Sequence, residues 1–206
     1  MFWPTLILSA VFYASLYFIG LHKRDNVNMV SIIHASICVA WTFFFFDFDD
    51  DIFESSIASN ILIPHSMAYF MLDTCVTNSN MWRFHHIITI MTEVSAWFIA
   101  RNCAAYALYY TEMGGVLYHI SRVYKDSFMC RTMFLIMYVY SRYTLCVFSF
   151  TRYLIKDTNI YIHTEYFLYW MIFVFFMCVI FMNAYFTVMQ IKSWVRMGKT
   201  LVRPVE

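Results

Sequence analysis

The chain has 206 residues, 62% of them hydrophobic, 21% aromatic and only 13% charged, with a mean hydropathy of +0.60. An ordinary soluble composition, about 45–50% apolar with about 25% charged residues, is excluded. Fourteen Lys plus Arg against thirteen Asp plus Glu leave a net charge of +1, which speaks against a nucleic-acid partner.

In chain order, residues 1–22 precede the first charge, Lys23. The run is too long for a signal peptide, and Met1-Phe2-Trp3-Pro4 carries no basic side chain, so the sequence predicts a retained first helix over about 3–21. A second apolar run, 26–46, lies between Asp25 and Asp47; the acidic Asp49-Asp50-Asp51 that follows reads as a solvated turn. Four further segments, 57–77, 84–100, 103–121 and 132–152, are interrupted by Asp73, Glu93, Glu112 and Arg142. The last, 166–191, runs from Glu165 to Lys192. Segments of this length match the roughly 20 residues that cross a bilayer as helix. The expectation is an all-α polytopic membrane helix bundle with seven transmembrane helices, forming one domain over 1–206 without internal repeats. With seven spans, ten Lys and Arg fall on one side and three on the other; deleting 57–77 gives eight against five. The positive-inside rule then places the N-terminus lumenal or external and the C-terminus cytosolic.

Polar residues at depth carry the functional reading. His34, Asp73, His85, His86 and His119 fall toward the cytosolic ends of their helices. Glu93, Glu112 and Arg142 lie about ten residues deeper, or about 15 Å at 1.5 Å per residue. Helical spacing puts His86, Thr89 and Glu93 on one face, Glu112 and His119 on another, Tyr69 and Asp73 on a third, and Asn183, Thr187 and Gln190 on a fourth. Tyr138, Arg142 and Ser149 do the same on the sixth segment. A single His in such a helix is more often hydrogen-bonded glue than a catalyst, but four His, three acids and one Arg converging argue for a site. The predicted cleft is closed by Arg142 pairing with Glu112 or Glu93.

A His pair suits acyl transfer, because one imidazole can take a proton from an amine or hydroxyl, or itself attack a thioester, while a carboxyl such as Asp73 orients the ring. Candidate catalytic residues are His85, His86, Asp73, His34 and Glu112; candidate substrate-binding residues are Tyr69, Thr89, Glu93, His119, Arg142 and Asn183. Arg83, Arg122, Lys125 and Arg131 suit an anionic acyl carrier such as coenzyme A, although the charge asymmetry already accounts for them. No metal is expected: seven His, two of them at 65 and 163, cannot fill di-iron boxes, and no HExxH spacing is present. Six scattered Cys without a CxxC pair read as small core residues. No Lys in the seventh segment is placed to bind retinal.

These residues resemble a TLC domain, the membrane module of ceramide synthases and of a wider group of TLC domain-containing lipid-homeostasis proteins. The matching pieces occur in order: Val30-Ser31-Ile32-Ile33-His34, then Ala68-Tyr69-Phe70-Met71-Leu72-Asp73, then His85-His86-Ile87-Ile88-Thr89-Ile90, then Thr111-Glu112-Met113 with Arg122 ten residues beyond the Glu. The similarity runs from about residue 5 to 195, with a TLC-like core over about 27–195 behind the extra first helix. The resemblance implies a multi-pass protein of the endoplasmic reticulum or a related endomembrane, acting in sphingolipid synthesis or lipid homeostasis. It implies a lipid partner such as a sphingoid base, with acyl-CoA as co-substrate and no bound cofactor, and in ceramide synthases the pair matching His85 and His86 is central to N-acylation. Those enzymes follow the pair, about 25 residues later, with His-Asp-x-x-Asp. This chain has Thr111-Glu112-Met113-Gly114-Gly115 instead and looks closer to the non-synthase branch. Two functions stay open: N-acyl transfer through the His pair, and non-enzymatic lipid binding, sensing or trafficking in the same cleft.

Overall fold

A computed structural model of the chain describes residues 1–20, 29–45, 56–99, 101–124, 127–145 and 166–202. Among the described residues there are seven α-helices and no strand: α1 (Phe2–Phe18), α2 (Met29–Phe45), α3 (Ile57–Val76), α4 (Asn80–Ile99), α5 (Arg101–Val123), α6 (Phe128–Val139) and α7 (Tyr166–Val202). Local chemistry sets several of the ends. The Ser56 hydroxyl accepts from the Ser59 amide while the Ser59 hydroxyl accepts from the Ser56 amide, a reciprocal cap that starts α3. Ser127 caps α6 by accepting from the Cys130 amide. At Tyr140, α6 passes into a π-helical stretch, Tyr140–Leu145, with Arg142 inside it. Such widened turns recur at functional sites.

Six helices close a ring in the order α2, α3, α4, α7, α6, α5 and back to α2, while α1 packs outside against α3. Gly114 of α5 allows the π-helical stretch after α6 to pack closely against it. A Cβ on Gly115 would lie 3.0 Å from Glu112 Oε2 and 3.6 Å from Ala35 Cβ of α2, and one on Gly114 would lie 2.9 Å from Ser141 Oγ. The apolar core, including Tyr13, Val30, Cys38, Leu62, Phe70 and Ala105, fills the seam where α1, α2, α3 and α5 meet. Much of what the ring buries is polar: His34, Ser66, Asp73, His86, Glu93 and Asn183 are all buried. Much of what it exposes is large and apolar, for example Phe18, Phe44, Phe98, Met129 and Phe181.

The all-α expectation holds, but the expectation of an integral multi-pass membrane protein is overturned. Among the described residues no helix is long and apolar enough to cross a membrane. The reasons are local. Helices α1 and α2 have 17 residues each and α6 has 12, while α3, α4 and α5 are continuous but carry polar groups such as His65, Asp73, Arg83, Glu93 and Glu112. With the spans go the lumenal and cytosolic assignments of the termini and the endoplasmic-reticulum location. Asp49-Asp50-Asp51, Ser149, His163 and Lys125 lie outside the described residues.

Candidate functional site

The ring encloses a cavity of about 300 Å³. Helix α3 supplies Tyr69 and Asp73 four residues apart on one face, α4 supplies Trp82, His85 and His86, and α5 supplies Glu112 and His119. Arg142 enters from the π turn, and α7 closes the wall with Asn183 and Phe186.

Asp73 is the organising group. Its Oδ1 accepts from the Tyr17 hydroxyl of α1 at 2.5 Å, and its Oδ2 lies 3.5 Å from His86 Nε2. The carboxyl therefore favours the ring proton on Nε2 and leaves Nδ1 of His86 as the basic nitrogen. That Nδ1 is buried and has no hydrogen-bond partner among the described residues; the same is true of Nδ1 of His85. Burial pushes the His86 pKa down, with Asp73 opposing, and burial pushes the His85 pKa well below the ordinary range, helped by His86 and Arg142. Both rings are thus neutral near pH 7. Trp82 stacks on Phe186, with ring centres 4.8 Å apart, and its ring lies 5.6 Å from His85, so aromatic faces flank the imidazoles.

The opposite wall offers donors. Arg142 Nη1 donates to Asn183 Oδ1 at 3.3 Å, and the guanidinium sits 5.3 Å from the centre of the Tyr138 ring. Arg142 Nε and Asn183 Nδ2 are buried without a partner among the described residues. Two imidazole nitrogens and two N–H donors of residues that line the cavity are thus buried without a partner among the described residues.

The expected pairing of Arg142 with Glu112 or Glu93 is not formed. The Glu93 carboxyl instead accepts from Ser66 of α3 at 2.8 Å, and Glu112 Oε1 lies 4.0 Å from His34 Nε2 of α2. Both acids are drawn to the neighbouring helix while Asn183 takes the guanidinium. Burial nonetheless pushes the Glu112 pKa up to about 7, against the pull of Arg142. His119 is pushed down to about 4 by burial and Arg122.

No family model, no characterised protein and no solved structure matches this chain.

Of the candidates named from sequence, His85, His86, Asp73, Glu112, Tyr69, His119, Arg142 and Asn183 line the cavity. His34 does not. Its ring stacks on Tyr69, centres 3.9 Å apart, and its Nδ1 is 3.1 Å from the Tyr13 hydroxyl. Tyr13 in turn lies 2.6 Å from His65 Nε2, and Ser9 is 2.9 Å from His65 Nδ1, so His34 heads a polar chain running outward between α1 and α3. Thr89 and Glu93 line a smaller hollow beside the cavity. Sequence reasoning missed Tyr17, Trp82 and Phe186. The four-residue spacing of Ser9, Tyr13 and Tyr17 was a legible polar stripe, whereas nothing distinguished Trp82 or Phe186 among so many aromatics.

Proposed function

We propose that this chain handles lipids: an amphiphile places its polar head in the ring cavity and receives an acyl group there from acyl-CoA, with His86 as general base. The observation that supports this reading is the Asp73–His86 contact at the wall of the cavity, which His85, Arg142 and Asn183 also line. In the reaction the acceptor amine nitrogen attacks the thioester carbonyl. The N–C bond forms, the C–S bond breaks, and the amine proton passes through His86 Nδ1 to the leaving sulfur, which departs as thiol. Arg142 Nε and Asn183 Nδ2 are the groups suited to the oxyanion that develops on the carbonyl oxygen. His85 and Glu112 stand beside this pair as further proton acceptors.

Two other features support a lipid as the ligand. The broadly apolar exterior gives an acyl chain a surface to lie against while its head is enclosed. The order and spacing of His34, Asp73, His85-His86 and Glu112 resemble a TLC domain of the non-synthase branch. A second reading, lipid binding without catalysis, is favoured by Thr111-Glu112-Met113-Gly114-Gly115 standing where the synthases carry His-Asp-x-x-Asp.

The test is direct. Purified protein, kept in mild detergent because of its apolar exterior, is given labelled acyl-CoA and a long-chain amine. Acyl transfer yields an N-acyl product that a His86→Ala variant does not make. Lipid that copurifies with a protein yielding no product, across several acyl lengths and acceptors, would establish the binding reading in its place.

A further inference from the structure

Outside the cavity, four side chains that the reaction above does not use stand in single file between α1, α2 and α3. His34 Nδ1 is 3.1 Å from the Tyr13 hydroxyl, the same hydroxyl is 2.6 Å from His65 Nε2, and His65 Nδ1 is 2.9 Å from Ser9 Oγ. At the inner end, His34 Nε2 lies 4.0 Å from Oε1 of Glu112, which lines the cavity. That gap is about 1 Å longer than a hydrogen bond. Gly115 leaves the carboxyl room to shift, since a Cβ there would stand 3.0 Å from Glu112 Oε2. Tyr69, stacked on the His34 ring, keeps its two nitrogens toward Tyr13 and Glu112. At the outer end His65 is only half-buried, whereas Tyr13 and His34 are closed off.

Every member of the file both gives and takes hydrogens. Tyr13 has one hydrogen and two imidazole neighbours, so it donates to one ring and accepts from the other. Two orders satisfy the whole file. In the first, Glu112 donates to His34 Nε2, His34 Nδ1–H to Tyr13, Tyr13 to His65 Nε2, and His65 Nδ1–H to Ser9. In the second, His34 Nε2–H donates to the Glu112 carboxylate, Tyr13 to His34 Nδ1, His65 Nε2–H to Tyr13, and Ser9 to His65 Nδ1. Passing from the first order to the second moves one proton from Glu112 to the outside: each hydrogen shifts one bond outward, and Ser9, gaining one from His65, releases its own. No ring holds a charge in either order. That suits the burial, which pushes His34 well below the ordinary range and His65 down to about 4. Cys38, 3.7 Å from either His34 nitrogen, is too weak a partner to fix one order.

We propose that His34, Tyr13, His65 and Ser9 are a proton relay between Glu112, at the cavity, and the outside of the ring at α1. Its use rests on the acyl-transfer reading and deepens it. A long-chain amine enters as the ammonium ion, so forming amide and thiol leaves one proton over. The ammonium N–H bond breaks first, its proton going to the Glu112 carboxylate and outward along the file, and the free amine then attacks as above.

The charge on Glu112 sets the order. Around it, besides His34, stand Asp73 of α3, His85, His86 and Glu93 of α4, His119 of its own helix and Arg142. Its change of state falls at about 7, raised by burial against the pull of Arg142.

The experiment uses isotopically labelled histidine and NMR to read which ring nitrogen carries the hydrogen, in the purified full chain without substrate, from about pH 5.5 to about 8.5. His34→Gln and His65→Gln assign the signals. In the wild type both rings should change together from the Nδ1–H to the Nε2–H form near pH 7. Tyr13→Phe should leave His34 following Glu112 while His65 stops changing, and Glu112→Gln should abolish both changes. Should Tyr13→Phe not fold, Glu112→Gln carries the test alone. A His65 ring that keeps one form through pH 7 in the wild type, or that still changes in either variant, overturns the relay. The reading of the cavity fails separately. Coupled rings in a protein that makes no amide keep the relay and remove its source of protons, whereas fixed rings in a protein that makes amide remove the relay alone.

Discussion

Asp73 ties α1 to α4 through one carboxyl, taking the Tyr17 hydroxyl on one oxygen and facing His86 on the other. Replacing it with Asn presents an amide that can donate to His86 and stabilise the other tautomer, so Nδ1 ceases to be the base. Asp73→Asn should therefore lower the rate of acyl transfer about 10²-fold or more while lipid binding changes little, a split that steady-state kinetics beside a binding isotherm will read. Tyr17→Phe tests the same carboxyl from the other side. Losing one buried hydrogen bond to an acid should cost about 1–2 kcal/mol in chemical denaturation, with the rate falling less than in Asp73→Asn because His86 keeps its partner. These residues also show what sequence can reveal. Asp73 and the His pair were legible because polar side chains in apolar helices need a shared interior. The exclusion of His34 from the cavity was not, because it depends on Tyr69 stacking flat against the imidazole, a contact between helices that no spacing rule encodes.

Helix positions were legible to within a few residues for α1 to α5 and for the start of α7, but not for where α6 and α7 end. The last helix continues to Val202, well past Lys192. A lysine ends a membrane span but not a helix, and Lys192 and Arg196 ride exposed on the continuing surface of α7. The turn of α6 into π geometry at Tyr140 had no sequence signal, yet it carries Arg142 toward Asn183. It also creates the tight spot against α5. A Cβ at position 114 would come within 2.9 Å of Ser141 Oγ, closer than such atoms approach, and 3.7 Å from Arg142 Nε. Two effects oppose each other in Gly114→Ala: helix propensity returns about 1 kcal/mol, and overpacking costs about 1–3 kcal/mol. Overpacking should win, giving a protein destabilised by about 1 kcal/mol in urea titration. At Gly115 the nearest atom is the flexible carboxyl end of Glu112 at 3.0 Å. Gly115→Ala should therefore be close to neutral in stability and act on lipid binding instead.

At the scale of the whole molecule, the ring holds several ionisable groups inside, among them His34, Asp73, His86 and Glu93, so its stability must respond to pH. Burial pushes Glu112 from the ordinary 4.5 up to about 7. Between those two values the folded protein holds a proton that the unfolded chain has released. This group's contribution is therefore complete below about pH 4.5 and is lost as pH rises to about 7, by at most about 3 kcal/mol. His65 and His119, pushed by burial from 6.5 to about 4, run the other way. Unfolded, they take up protons below pH 6.5 that the folded state refuses, so their contribution is complete above 6.5 and disappears as pH falls toward 4. The net profile mixes opposite slopes over nearly the same window, and a wild-type melting curve cannot separate them. The Glu112→Gln variant can. It removes one slope and leaves the histidines in place, so its melting temperature relative to wild type should climb steadily from pH 4.5 to 7 and then level off. A flat difference across that range would show that Glu112 is not held protonated by burial. The acid lining the cavity would then be an ordinary carboxylate.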